Sequence, residues 1–206
     1  MTEPITMTFM IGLGLAVGSF LNVCMYRLPQ ELSVNFPASH CPVCKRPLAW
    51  FENIPVVSWV ALRGRCRTCL APIAAQYVIV EALTGALFLD GYFIYGWTLL
   101  LAVRLIFACA IIVLFVIDLH HRILPNVITL PGIAAGFIFS FFLPPGWFSS
   151  LIGVLAGGGV LFAISETYYR LRGFEGLGMG DVKMLAMIGA FLGWPLMLVT
   201  LVFASV

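Results

Sequence analysis

Charge is what this chain of 206 residues has least of: nine Asp and Glu, eleven Lys and Arg and three His leave only 10% of it charged. A soluble globular domain carries about 25% charged residues. Apolar residues make up 62% of the sequence, and the mean hydropathy is +1.06. Together these exclude a water-soluble domain and leave an integral membrane protein. The few basic residues flank apolar runs and form no separate basic face, so no nucleic-acid partner is expected. Met1-Thr2-Glu3-Pro4 also lacks the basic segment that opens a secretory signal peptide. The first apolar run is therefore read as a retained membrane helix.

What is present in quantity is long apolar sequence. Crossing a bilayer takes about 20 apolar residues in a helix, and on that scale the runs 5–26, 77–95, 97–117, 127–143, 148–168, 182–192 and 196–206 are expected spans. The fold class that follows is an all-α polytopic membrane protein, a multi-helix bundle with a small polar loop domain. The expected divisions are a first transmembrane helix at 1–26, a loop domain at 27–75 and a transmembrane bundle at 76–206. The last apolar run is still open at Val206, so a C-terminal truncation with further helices missing is expected.

Lys and Arg orient the bundle. Arg27, Lys45, Arg46, Arg63, Arg65 and Arg67 fall in the first loop, Arg122 follows the third run, and Arg170, Arg172 and Lys183 flank the fifth-to-sixth connection. In an alternating topology all of these share one side, and Arg104 alone lies within a span. The excess of positive charge on cytoplasmic loops makes that side cytoplasmic.

Six cysteines are present. Four form Cys41-Pro42-Val43-Cys44 and Cys66-Arg67-Thr68-Cys69, a pair of CxxC knuckles whose thiolates can converge on one ion as a tetrahedral four-cysteine zinc site. Redox dithiols or disulfides are the alternative, and a cytoplasmic loop disfavours stable disulfides. A structural zinc would supply the folding free energy that a short polar loop cannot obtain from packing. His40 is read as a bystander, and Cys24 and Cys109 as small buried hydrophobes.

Two aspartates stand at the ends of apolar runs on the same expected side. Asp118 closes the third run before a turn at Pro125-Asn126, and Asp181 closes the stretch Glu175-Gly176-Leu177-Gly178-Met179-Gly180-Asp181. An ionisable group at the membrane is costly unless solvated, paired or used. Glycines at 176, 178 and 180 allow an extended peptide to approach the main chain. Two neighbouring carboxylates sharing a proton could act as general base and general acid in peptide hydrolysis. Helix-capping or lipid-facing carboxylates, and a proton or ion relay, are the other readings. Lys183 reads as an edge anchor, Gly157-Gly158-Gly159 as a helix-packing stripe, His120 and His121 as interfacial side chains, and the role of Glu81 is open.

These motifs resemble the type IV prepilin peptidases, the prepilin leader peptidase/N-methyltransferases. The likeness runs from Gly18-Ser19-Phe20-Leu21-Asn22-Val23 through Arg27-Leu28-Pro29, the two knuckles, Asn53-Ile54-Pro55, Tyr77 and Glu81 to Asp118, Pro125-Asn126 and the segment Glu175 to Lys183. The resemblance implies a GxGD-type intramembrane aspartyl protease with Asp118 and Asp181 as catalytic residues and Gly178, Gly180, Lys183, Pro125 and Asn126 in support. It further implies removal of the basic leader from type IV prepilins or type II secretion pseudopilins at the cytoplasmic face of the bacterial inner membrane. N-methylation of the new N-terminus from S-adenosylmethionine would follow. The sequence holds no Rossmann-type glycine loop for that donor, so its binding residues stay unknown, and membrane lipids are the only other partner expected.

Overall fold

The computed structural model describes residues 3–173 and 178–204. The described residues form seven α-helices: α1 (Glu3–Arg27), α2 (Val57–Ala61), α3 (Ala75–Tyr95), α4 (Leu99–His121), α5 (Asn126–Phe139), α6 (Trp147–Arg172) and α7 (Met179–Ala204). The all-helical class is as expected. Five of these helices, α1, α3, α4, α6 and α7, are long and apolar enough to cross a membrane.

The expected count of seven spans is corrected in two places. The run 127–143 yields only the 14-residue α5, because its end is spent on a turn: Phe141, Phe142 and Leu143 donate to carbonyls three or four residues back before Pro144-Pro145. At 1.5 Å per residue, α5 is about 21 Å long, short of a hydrocarbon core of about 30 Å. The runs 182–192 and 196–206 fall, over their described residues, in one helix, α7, broken at Gly193 with φ 78° and ψ 172°. Only glycine adopts that backbone cheaply, and Pro195 brings no N–H, so the ladder is interrupted without a connecting loop. Cys24 and Cys109 are half-buried rather than buried, since a helix facing lipid needs no protein cover for an apolar side chain.

The chain forms two compact units, 1–116 and 117–206. In the first, α1 and α3 pack through small residues. A Cβ on Gly14 would lie 2.8 Å from the Gly85 Cα, and one on Gly18 would lie 2.7 Å from the Glu81 Cα, so the two backbones approach as only small residues permit. Met10, Phe88 and Leu101 form a buried cluster with Val17, Tyr92 and Leu105 at one end of these helices. At the other end Asn22 donates to the Tyr77 carbonyl at 3.0 Å, tying the two ends of the 28–74 loop together.

In the second unit the first half of α7 is the central element, with Val182 and Leu185 through Phe191 buried. On one side Gly132 and Gly136 of α5 admit Met187 and Phe191. On the other, Gly153 and Gly189 meet backbone to backbone, and Gly157 lies against the Leu185 carbonyl. Ser150 Oγ donates to the Ala190 carbonyl at 2.8 Å. Gly157 and Gly158 thus face α7 as a packing stripe, while Gly159 has nothing within 4 Å of its Cβ position.

Candidate functional site

Two sites emerge, one in each unit. In the first unit each knuckle turns within a nine-residue piece, 40–48 and 65–73. The piece opens on a bridge, His40 with Pro47 and Arg65 with Pro72. Cys41 N–H donates to Arg46 O and Cys66 N–H to Ala71 O, both at 2.9 Å. The residue after the second cysteine is left-handed in each, Lys45 at φ 59° and Leu70 at φ 58°. The two pieces are structural copies. Aligning Cys-x-x-Cys-x-x-Pro at both would have shown the repeat in the sequence.

The copies bring the Sγ atoms of Cys41, Cys44, Cys66 and Cys69 within 4.8 Å of one another, with Cys41 and Cys69 3.8 Å apart. A tetrahedral ion with bonds of about 2.3 Å spaces its sulfurs about 3.8 Å apart, so the four thiols could hold a metal such as zinc. Main-chain N–H groups of Cys69 and Thr68 aimed at Cys66 bring its thiol down to about 6. They favour the thiolate that a metal needs. The Ala71 N–H lowers the Cys69 thiol, but partial desolvation of its sulfur and the neighbouring thiols outweigh that and hold it up at about 11.

Arg46 braces this site. Its Nη2 donates to Glu52 Oε1 at 2.7 Å. Arg46, and next the Ala49 N–H at 2.8 Å, hold the Glu52 carboxyl below the usual carboxylate range. Arg27, buried at the end of α1, donates to the Ser33, Val34 and Pro37 carbonyls. Arg27, an orientation signal and part of the Arg27-Leu28-Pro29 motif in the sequence, thus also holds the loop; its neighbouring Pro and Ser residues are weak pointers to such a cradle.

In the second unit the turn after α4 meets the start of α7. A Cβ on Gly180 would lie 2.9 Å from the Leu124 Cβ, and Lys183 Nζ donates to Asn126 Oδ1 at 2.8 Å. Asp118, exposed near the end of α4, and Asp181, partly buried in the first turn of α7, lie within range of each other's charge. Among the described residues no hydrogen bond joins the two carboxylates. Gly178 sits beside Asp181, its carbonyl accepting the Asp181 N–H at 3.1 Å. Pro125 caps the approach to α5, its carbonyl accepting from Ile128 and Thr129. Residues Glu175, Gly176 and Leu177 of the glycine stretch lie outside the described residues.

A polytopic helical membrane protein with a four-cysteine loop and two carboxylates at adjoining helix ends is the class these features define. Comparison with known proteins places it more narrowly. Residues 13–95 match the Bacterial Peptidase A24 N-terminal domain and residues 105–206 match the Type IV leader peptidase family. A Myxococcus xanthus protein named prepilin leader peptidase/N-methyltransferase is 44% identical over 204 residues, covering 98% of this chain and 61% of that protein. A Klebsiella pneumoniae protein of the same name is 39% identical, covering 96% of this chain and 90% of its own length. One from Neisseria gonorrhoeae is 35% identical, covering 93% and 76%. No solved structure matches the chain. The chain belongs to the type IV leader peptidase family.

Proposed function

We propose that this protein is a membrane-embedded aspartic endopeptidase that removes the basic leader of type IV prepilins or type II secretion pseudopilins and N-methylates the new N-terminus. One observation supports the peptidase half: Asp118 and Asp181 lie within range of each other's charge, with the turn Leu124–Asn126 joined to the start of α7 by the Lys183–Asn126 bond. One carboxylate, ionised, takes a proton from water as the water attacks the scissile carbonyl. The other, protonated, gives its proton to the departing amine. Gly178 and Gly180 leave room for an extended backbone beside the pair, and Lys183 fixes the α5 turn.

The substrate logic agrees. A prepilin is a basic segment followed by an apolar helix, so its cut site lies at a membrane edge. With α3 and α4 both spanning, Lys45, Arg46, Arg63, Arg65 and Arg67 of the loop after α1 fall on the same side as Arg122 and the Asp118 end of α4, which supports a cytoplasmic edge in the bacterial inner membrane. The four-cysteine loop fits a zinc held for structure, since four thiolates leave no open ligand position. S-adenosylmethionine, when bound, would supply the methyl group for the N-terminal amine, a donor consistent with the N-methyltransferase in the relatives' name.

Intact mass of a prepilin incubated in detergent with wild type, Asp118→Asn and Asp181→Asn, with S-adenosylmethionine present, tests this. Loss of the leader and gain of one methyl group are expected with wild type alone. Cleavage by either aspartate variant at the wild-type rate would remove the dyad.

A further inference from the structure

A cavity of about 390 Å³ lies in the first unit, bounded by the C-terminal end of α1, the N-terminal end of α3 and the cysteine loop. That volume falls within the range of small-molecule sites, about 300–1,000 Å³. Its walls are mostly apolar and aromatic, with Tyr26, Trp59 and Tyr77 among them, and the polar side chains of Asn53, Ser58 and Glu81 also line it. Trp59 is fixed in the wall by its Nε1 donating to the Ile73 carbonyl at 3.2 Å.

Glu81 is the informative member. It is 7% exposed. One of its oxygens accepts the Val56 N–H at 2.7 Å, across a turn in which Val56 holds a left-handed φ of 61°. No Lys, Arg or His lies within salt-bridge distance of it among the described residues. The other carboxylate of the cavity wall, Glu52, is already matched by Arg46; of the wall's basic residues, Arg27 is consumed by three carbonyls, Arg67 lies over the Phe51 ring and His40 Nδ1 is 3.1 Å from the Ala38 carbonyl. A buried carboxylate without a cation is expensive. One that lines a cavity calls for a cationic ligand.

Resting on the methyl-transfer half of the proposed function, we infer that this cavity is the site of the methyl donor, with Glu81 facing the sulfonium of S-adenosylmethionine and the aromatic walls taking its adenine. A protonated amine alone would also answer Glu81, but it needs neither the volume nor the aromatic lining. Cys41 and Cys66, the two buried thiols of the zinc loop, form part of the same wall, so the metal-folded loop is one side of the donor site. When methyl transfer occurs, an N–C bond forms at the neutral amine, the S–C bond breaks with its electron pair going to sulfur, and the extra proton on nitrogen passes to water.

The test is calorimetric titration of the full chain in detergent with S-adenosylmethionine and, separately, with S-adenosylhomocysteine, which lacks only the methyl group and so has a neutral sulfur. Glu81→Gln keeps an acceptor for Val56 and removes the charge. It should weaken the sulfonium ligand at least 10-fold and the neutral one less than 3-fold. Ser58→Phe fills the cavity from α2, where the Ser58 hydroxyl makes no hydrogen bond among the described residues, and should abolish binding of both at an unchanged thermal midpoint. Wild-type affinity for both ligands in folded Ser58→Phe would overturn the cavity, and equal weakening of both in folded Glu81→Gln would overturn the role of Glu81. Failure of the wild type to pass labelled methyl to a cleaved prepilin is a separate result. It would overturn the methyl-transfer reading and this ligand with it, leaving the peptidase standing.

Discussion

Asp118 and Asp181 are set by neighbours rather than by each other. Asp118 lies on α4 and Asp181 on α7, and the Lys183–Asn126 hydrogen bond ties α7 to the first residue of α5, just past the turn that follows Asp118. Asp118→Ala and Asp181→Ala should each lower cleavage at least about 100-fold, the scale of lost general acid–base catalysis, as read by mass spectrometry. Lys183→Met should lower it about 10-fold, equal to about 1.4 kcal/mol in the barrier, with Lys183→Arg recovering part of the loss. A second residue-scale effect is set by Glu52. Its carboxyl sits below the ordinary value of 4.5 because Arg46 and the Ala49 N–H favour the charged form. A depressed folded value stabilises the loop above the unfolded value and loses that contribution as pH falls through the folded value. Protection of the 41–73 segment against limited proteolysis should therefore fall below pH 4.5 in wild type, while Glu52→Gln is less protected at neutral pH and shows a shallower acid loss.

Helix pairs carry the next level. The α6–α7 contact is made main chain to main chain at Gly153 and Gly189, and a methyl group there has nowhere to go. Gly153→Ala should cost about 1–3 kcal/mol, the usual scale of overpacking. Gly159→Ala on the same helix meets open space and should be neutral or stabilising by up to about 1 kcal/mol, the intrinsic helix preference of Ala over Gly. Unfolding in mixed micelles under denaturant measures both. This element level was only partly legible in the sequence. Apolar length located α1, α3, α4 and α6 and implied a glycine stripe at 157–159. It could not show which of those glycines face a partner, since hydropathy has no direction when lipid and protein are both apolar. Nor could it separate a helix from an apolar turn at Phe141–Leu143, or show that the runs on either side of Gly193 share one interrupted helix.

Across the whole molecule, the four-cysteine loop was the most legible feature, because metal ligands must be specific residue types at fixed spacing. The aspartates were legible because charge is conspicuous in an apolar chain. The cavity at Asn53, Ser58 and Glu81 was not, because its walls come from segments more than 50 residues apart that only folding brings together. Metal analysis of the purified protein should find about one zinc per chain, the capacity of one four-thiolate site. Cys41→Ser with Cys66→Ser should remove it and open the 28–74 segment to proteases.

The two knuckles are copies, and each contributes one thiol of each kind: Cys41 and Cys66 are buried, while Cys44 and Cys69 reach solvent. An oxidant, an alkylating agent or a competing thiophilic ion therefore meets the centre from one face. Attack at that face detaches the outer pair first and leaves the ion resting on the inner pair, so dismantling runs in a fixed order. In a time course of iodoacetamide labelling under mild chelation, Cys44 and Cys69 should be modified together and early. Cys41 and Cys66 should follow only once the metal has gone.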